Sequence, residues 1–122
     1  MANTRSYEIY SDSFPLTLDA VNWLVLMYFG GEEHYDRNDP RAAPGNEKDL
    51  AGLPPALIYP AGFDPLCDEA VDYGKRLEEA GVKVKVRCYD SLVHGYVNMA
   101  AAVPAARKAV REIVADIREA LA

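Results

Sequence analysis

Histidine and cysteine are both scarce in this 122-residue chain, two of each, and the two shortages exclude different things. Cys67 and Cys88 have no short metal-ligand spacing and fall on different expected elements, so they read as reduced thiols of a cytoplasmic protein, with no metal site. Positive charge is short as well. The 13 Lys and Arg against 19 Asp and Glu leave a net charge of -6, which disfavours nucleic acid or another phosphate-rich partner. No basic stretch followed by an apolar core opens the chain at MANTRSYEIY, so no secretion signal is expected. Long apolar runs are missing too: the strongest, Leu18 to Phe29, is interrupted by Asp19 and Asn22 and is too short to cross a bilayer. There is neither an internal repeat nor a low-complexity tract.

What is present is ordinary for a globular chain, with 50% apolar and 26% charged residues, and the length allows one domain at most. Residues 1–16 show no sustained period and are expected to be irregular. Thr17 is a suitable N-cap for a helix to Phe29, stopped by Gly30 and Gly31. The apolar residues of that helix go nearly all the way round, so it must be covered on most sides, by this chain or by something else. Residues 32–52 are polar and rich in Asp, Asn, Pro and Gly, and read as a surface connection; His34, in the charged run EEHYDRND, goes with them.

Ala56 to Tyr59 is a short continuous apolar run, the pattern of a parallel strand covered on both faces. Pro60 cannot donate to a ladder, so the strand must end or bulge there. Asp68 is expected to cap a helix through Ala80, with Val71, Gly74 and Leu77 inward and Gly81 as the stop. Val82 to Tyr89 alternates valines with Lys83, Lys85 and Arg87, a strand with one covered and one solvated face. After the expected loop DSLVHGY, a last helix runs from Pro104 to Leu121. Ala106, Val110, Ile113, Val114, Ile117 and Leu121 form its stripe, with Arg107, Lys108, Arg111, Glu112 and Arg118 outward. The fold class is therefore α/β, a βαβ unit with a right-handed crossover plus a C-terminal helix. Two parallel strands alone make an incomplete sheet, so the sequence reads like one end of a larger one.

Functional groups of open parallel sheets gather beyond the carboxyl ends of the strands. Asp64, in AGFDPLCDE, follows the first strand, and His94 follows the second at a similar remove. A carboxylate that accepts the Nδ1 hydrogen of a histidine fixes the tautomer and leaves Nε2 free as a general base. Taken from spacing alone, each residue has an ordinary alternative, Asp64 as turn chemistry and His94 as a loop residue.

The blocks Leu53-Pro54-Pro55, Gly62-Phe63-Asp64-Pro65-Leu66-x-Asp68-Glu69, Glu79-Ala80-Gly81-Val82 and His94-Gly95-Tyr96 stand together in that order. They resemble the C-terminal segment of the hormone-sensitive-lipase-like family of α/β-hydrolases, bacterial carboxylesterases and lipases. The resemblance is strong over residues 53–99 and looser over 5–52. It implies a lid-like and connecting segment at 1–52 and a C-terminal α/β-hydrolase segment at 53–122. It also implies Asp64 as the acid and His94 as the base of a Ser-His-Asp triad, with Asp68 and Glu69 as helix N-terminal residues and no cofactor. The nucleophile is not in this chain: Ser6, Ser11, Ser13 and Ser91 all lack the flanking glycines of GxSxG, and no HGGG-type loop is present.

On the same resemblance, Tyr10, Phe14, Leu16, Trp23, Leu92 and Val93 are candidate lid and acyl-pocket residues, with a core role as the alternative. The partners implied are a small ester substrate in the complete enzyme and either a separate N-terminal half or a second copy of the chain, with no membrane. A different reading keeps the fold without catalysis, as an interaction module that dimerises or complements such a half.

Overall fold

The computed structural model describes residues 4–34, 36 and 39–122. In chain order these form helices α1 (Arg5–Ile9) and α2 (Leu18–Phe29), strands β1 (Ala56–Ile58) and β2 (Ala61–Phe63), helix α3 (Cys67–Glu79), strands β3 (Val84–Val86) and β4 (Tyr89–Val93), and helix α4 (Pro104–Ala120). Short 3-10 turns stand at Glu32–His34, Pro44–Asn46 and Tyr96–Met99. β1 pairs with β3 and β2 with β4, both in parallel.

Each expected strand is thus two, and Pro60 is the reason. The Ile58 carbonyl accepts from the Arg87 amide at 3.0 Å and the Pro60 carbonyl from the Tyr89 amide at 2.9 Å. Pro60 has no N–H to give in return, so regular pairing lapses there and resumes at Ala61 opposite Tyr89, with a shift of register before Phe63. Residues 82–89 are not one strand for the same reason. The segment DSLVHGY is not wholly a loop either, because Asp90 to Val93 belong to β4.

Two helices cover opposite faces of these strands. Ala56, Ile58 and Val84 pack with Leu77, Val82 and Leu50 under α3. Alternation along a strand sends Tyr59 and Lys85 the other way, toward α4, where the Tyr59 hydroxyl donates to Asp116 at 2.7 Å and Lys85 Nζ reaches it at 2.5 Å. Arg87 reaches Glu112 at 3.2 Å. The face of Lys85 and Arg87 is therefore half-exposed and paired with the acidic side of α4, with Lys83 exposed, and Glu112 does not point away from the sheet as expected.

Small residues let α4 approach. Ala106 and Ala109 are fully buried against Ala61, Leu92 and Tyr96. Farther along, the stripe runs out of cover: Val114 and Ile117 are exposed, and so is Leu121 just past the helix. On α3, a Cβ at Gly74 would stand 2.5 Å from a Val86 methyl, so this glycine sets how closely the helix lies on the sheet.

The N-terminal third departs more from expectation. Residues 5–9 are helical instead of irregular, and Ser6 and Tyr7 are buried. Leu66, not Asp68, is the N-cap of α3; Asp68 sits in its first turn. Thr17 caps α2 through the Ala20 amide, and Gly30 ends it in the left-handed region at φ 78°. No residue of α2 is buried: Trp23 is 59% and Tyr28 83% exposed. The connection 32–52 is pinned by the Arg76 guanidinium, which donates to the Gly45 and Glu47 carbonyls, and Leu50 leaves the surface for the core. His34 is exposed, as its charged surroundings suggest; positions 35, 37 and 38 of that run lie outside the described residues. Among the described residues, no helix is long and apolar enough to cross a membrane.

Asp116 carries the tie between α4 and the strands. Hydrogen bonds from Lys85 and Tyr59, together with the charges of Lys85 and Arg87, hold its carboxyl below the usual range, while burial and the bond to Asp116 push the Tyr59 hydroxyl up to about 12. A carboxyl lowered in the folded state stabilises the fold above its unfolded value and loses that contribution as pH falls through its folded value. Asp116→Asn is therefore expected to lower the urea midpoint at pH 7, and the gap from wild type should close below about pH 4. A gap that stays constant from pH 7 to pH 2.5 would contradict this tie.

Candidate functional site

β2 and β4 run side by side in the same direction, so the turns after them open at one edge. Asp64 stands immediately past β2 and His94 immediately past β4. The pair is held close by a close approach of backbones. A Cβ at Gly62 would fall 2.5 Å from the Cα and carbonyl oxygen of Asp90, a contact that only glycine avoids. Asp64 Oδ2 and His94 Nδ1 meet at 2.8 Å.

The two oxygens of Asp64 have separate tasks. Oδ1 accepts the Leu66 amide at 2.9 Å, and the Asp64 carbonyl accepts the Cys67 amide at 3.1 Å, which closes the turn into α3. Oδ2 is thereby aimed at the imidazole. Asp64 is only 7% exposed, whereas the His94 side chain is 41% exposed. A carboxylate can only accept, so the shared proton belongs to Nδ1, and a neutral ring then carries its lone pair on the second nitrogen. On the far side of His94, Gly95 turns the chain at φ 71°, and buried Tyr96 donates its hydroxyl to the Tyr59 carbonyl at 3.0 Å. Burial pushes that hydroxyl up to about 12, so it stays a donor at any working pH.

Of the residues expected to line a pocket, Leu92 is in the core with Ala61, Tyr96, Ala106 and Ala109. Leu16 is buried, Val93 half-buried, and Phe14 is 81% exposed. Tyr10 packs edge-on against Phe63, ring centres 5.8 Å apart. Trp23 borders an open hollow along α2 with Met27 and Arg41, away from Asp64 and His94 in its lining. The structure thus joins Asp64 to His94, with Val93 next to His94 in the chain and Tyr10 resting on Phe63, the neighbour of Asp64.

The serines are accounted for in other ways. The Ser13 hydroxyl donates to Leu16 and that of Ser11 to Glu8, both locally. Ser91 is exposed on β4, and among the described residues no hydrogen bond joins it to His94. Ser6 is the residue that sequence reasoning passed over. Its hydroxyl donates to the Pro65 carbonyl at 2.7 Å and its amide to Asp68 Oδ2 at 2.8 Å, while the Tyr7 hydroxyl donates to Glu69 at 3.0 Å. Cys67 and Cys88 come within 3.8 Å as free thiols, and burial raises both, Cys88 to about 12. Among the described residues, no group of three or more His, Cys, Asp or Glu could hold a metal ion.

A family profile described as alpha/beta hydrolase fold matches residues 1–98. The carboxylic ester hydrolase LipN of Mycobacterium tuberculosis is 42% identical over 98 residues, 80% of this chain and 26% of the relative. The carboxylesterase NlhH of the same organism is 38% identical over 118 residues, 95% of this chain and 37% of the relative. Among solved structures, the hyperthermophilic esterase of the archaeon Pyrobaculum calidifontis superposes with a TM-score of 0.87 at 36% identity, over 95% of this chain and 38% of that one. The crystal structure of DphMB1 gives a TM-score of 0.89 at 33% identity, over 97% and 39%. The chain therefore spans between about a quarter and two fifths of the length of these relatives.

The geometry at Gly62 is open to a direct check. Gly62→Ala forces β2 and β4 apart, and overpacking of this kind costs about 1–3 kcal/mol. We expect a lower unfolding midpoint and, at low temperature, loss of the downfield proton signal of a hydrogen-bonded His94 Nδ1. An unchanged signal in a Gly62→Ala protein would show that the backbone approach does not set the contact.

Proposed function

From the premise that the chain belongs to the α/β-hydrolase fold family, we propose that it supplies the acid and base of a serine carboxylesterase of the hormone-sensitive-lipase-like kind. Asp64 is the acid and His94 the base. The observation that carries this reading is the 2.8 Å contact of a buried carboxylate with a half-exposed imidazole, beyond the carboxyl ends of two parallel strands. Relatives described as carboxylic ester hydrolases support the substrate class, a small carboxylic ester.

The nucleophile and the oxyanion hole come from residues outside this sequence. In the assembled site, the serine oxygen attacks the ester carbonyl carbon while His94 Nε2 takes its proton. Asp64 holds the Nδ1 tautomer and stabilises the imidazolium. As the tetrahedral intermediate collapses, His94 returns the proton to the departing alkoxide and an alcohol leaves. Water then attacks the acyl-serine with His94 again as base, which releases the carboxylic acid and restores the serine. Residues 53–122 carry the acid and base. Residues 1–52 serve as the lid-like and connecting part, with Tyr10, Phe14, Leu16 and Trp23 toward the acyl chain and Leu92 and Val93 behind the base. A reducing, cytoplasmic setting, with Cys67 and Cys88 as thiols, belongs to the same reading.

A second reading has its own support in the uncovered α2, whose Trp23, Leu24, Met27 and Tyr28 are all exposed. An interaction module, dimerising or seated on a separate N-terminal half, would cover that face without turnover.

Co-expression with the preceding segment of a relative such as NlhH separates the two. We expect hydrolysis of a short p-nitrophenyl ester by the reconstituted pair and a fall of roughly 10²–10⁴-fold with His94→Ala. The chain by itself should not hydrolyse the ester, and a serine-directed phosphonate should not label it. Association without turnover would favour the interaction module, and labelling of Ser91 would overturn the assignment of the nucleophile to another segment.

A further inference from the structure

Helix α3 begins without a cap of its own. Its N-cap is Leu66, which has no side-chain acceptor, yet the amides of a first helical turn need partners. Cys67 is served by the Asp64 carbonyl at 3.1 Å, and Asp68 by Ser6 Oγ at 3.2 Å, a hydroxyl 62 residues away in the chain. That hydroxyl is a donor at the same time, to the Pro65 carbonyl at 2.7 Å. The Ser6 amide completes the exchange by donating to Asp68 Oδ2 at 2.8 Å. Ser6 is 4% exposed, so water does not supply these partners in its stead.

These three bonds close on the turn that bears Asp64. From inside, Asp64 fixes Leu66 and Cys67; from outside, Ser6 fixes Pro65 and Asp68. The residue after Asp64 is thereby tied to α1. We propose that Ser6 is a positioning residue for the reaction, whose hydroxyl and amide clamp the Asp64-Pro65 turn so that Oδ2 stays on His94 Nδ1. The inference rests on the reading of Asp64 and His94 as acid and base. Only a group that donates and accepts through one atom satisfies both Pro65 and Asp68, which is why a hydroxyl stands here.

The test follows the imidazole of His94 in the 122-residue chain by its ring nitrogen shifts at a pH where the ring is neutral. Asp64→Ala sets the end point of a ring released from the carboxylate. Ser6→Ala is expected to move the ring nitrogens at least half way to that end point. Asp68→Ala should move them in the same direction and Asp68→Asn, which keeps an acceptor for the Ser6 amide, should restore them; this pair stands in if Ser6→Ala does not fold. Tyr7→Phe removes the neighbouring bond to Glu69 and should lower the unfolding midpoint while leaving the ring where it was. If Ser6→Ala and Asp68→Ala fold with the ring unmoved, or if Tyr7→Phe moves it as far, Ser6 has no positioning role. If Asp64→Ala itself leaves the ring unmoved, the acid-base pairing fails and the clamp with it.

Discussion

Parallel strands cannot be joined by a tight turn, and that constraint shapes the rest of this molecule. A chain leaving β2 must cross over before it can return alongside as β4, and α3 is the crossover. Because both strands are entered from the same end, they also finish at the same end. Asp64 and His94 inherit their meeting from that geometry. No local sequence preference would bring a turn aspartate and a turn histidine together; the direction of the ladder does.

The covering of the strands is uneven in a way that follows from side-chain type. Toward α3 the contacts are aliphatic, with Leu77 and Val82 against Ile58 and Val84. Toward α4 they begin with alanines near β4 and become ionic near β3, where Asp116 and Glu112 take Lys85 and Arg87. Apolar burial thus lies behind the edge where Asp64 meets His94, with Leu92 and Tyr96 on either side of His94 in the chain both in the core. The more hydrated pairs lie toward the other end of α4.

Much of this was legible in the residues, for definite reasons. Pro60 announced the break in the strands, Thr17 and Gly30 the ends of α2, and the ordered blocks around Asp64 and His94 the family. β4 was not legible, because Asp90 and Ser91 read as turn formers and become strand only by pairing with β2. α1 was missed because five residues are too few to display a helical period. The alternating valines and basic residues were read correctly as a strand pattern. The pairing of that half-exposed basic side was not legible, because the acidic residues that meet it come from a helix twenty-five or more positions later. Ser6 had no signal at all, since its partners are defined only by the fold.

The two contacts that hold Asp64 differ in how much chain they enclose. From Asp64 to His94 the loop is 30 residues, and from Ser6 to Asp68 it is 62. Each doubling of loop length adds about 0.6 kcal/mol to the entropy of closure. The crossover that brings Asp64 to His94 therefore closes the shorter circuit, and the docking of α1 closes the longer one at the greater entropic cost.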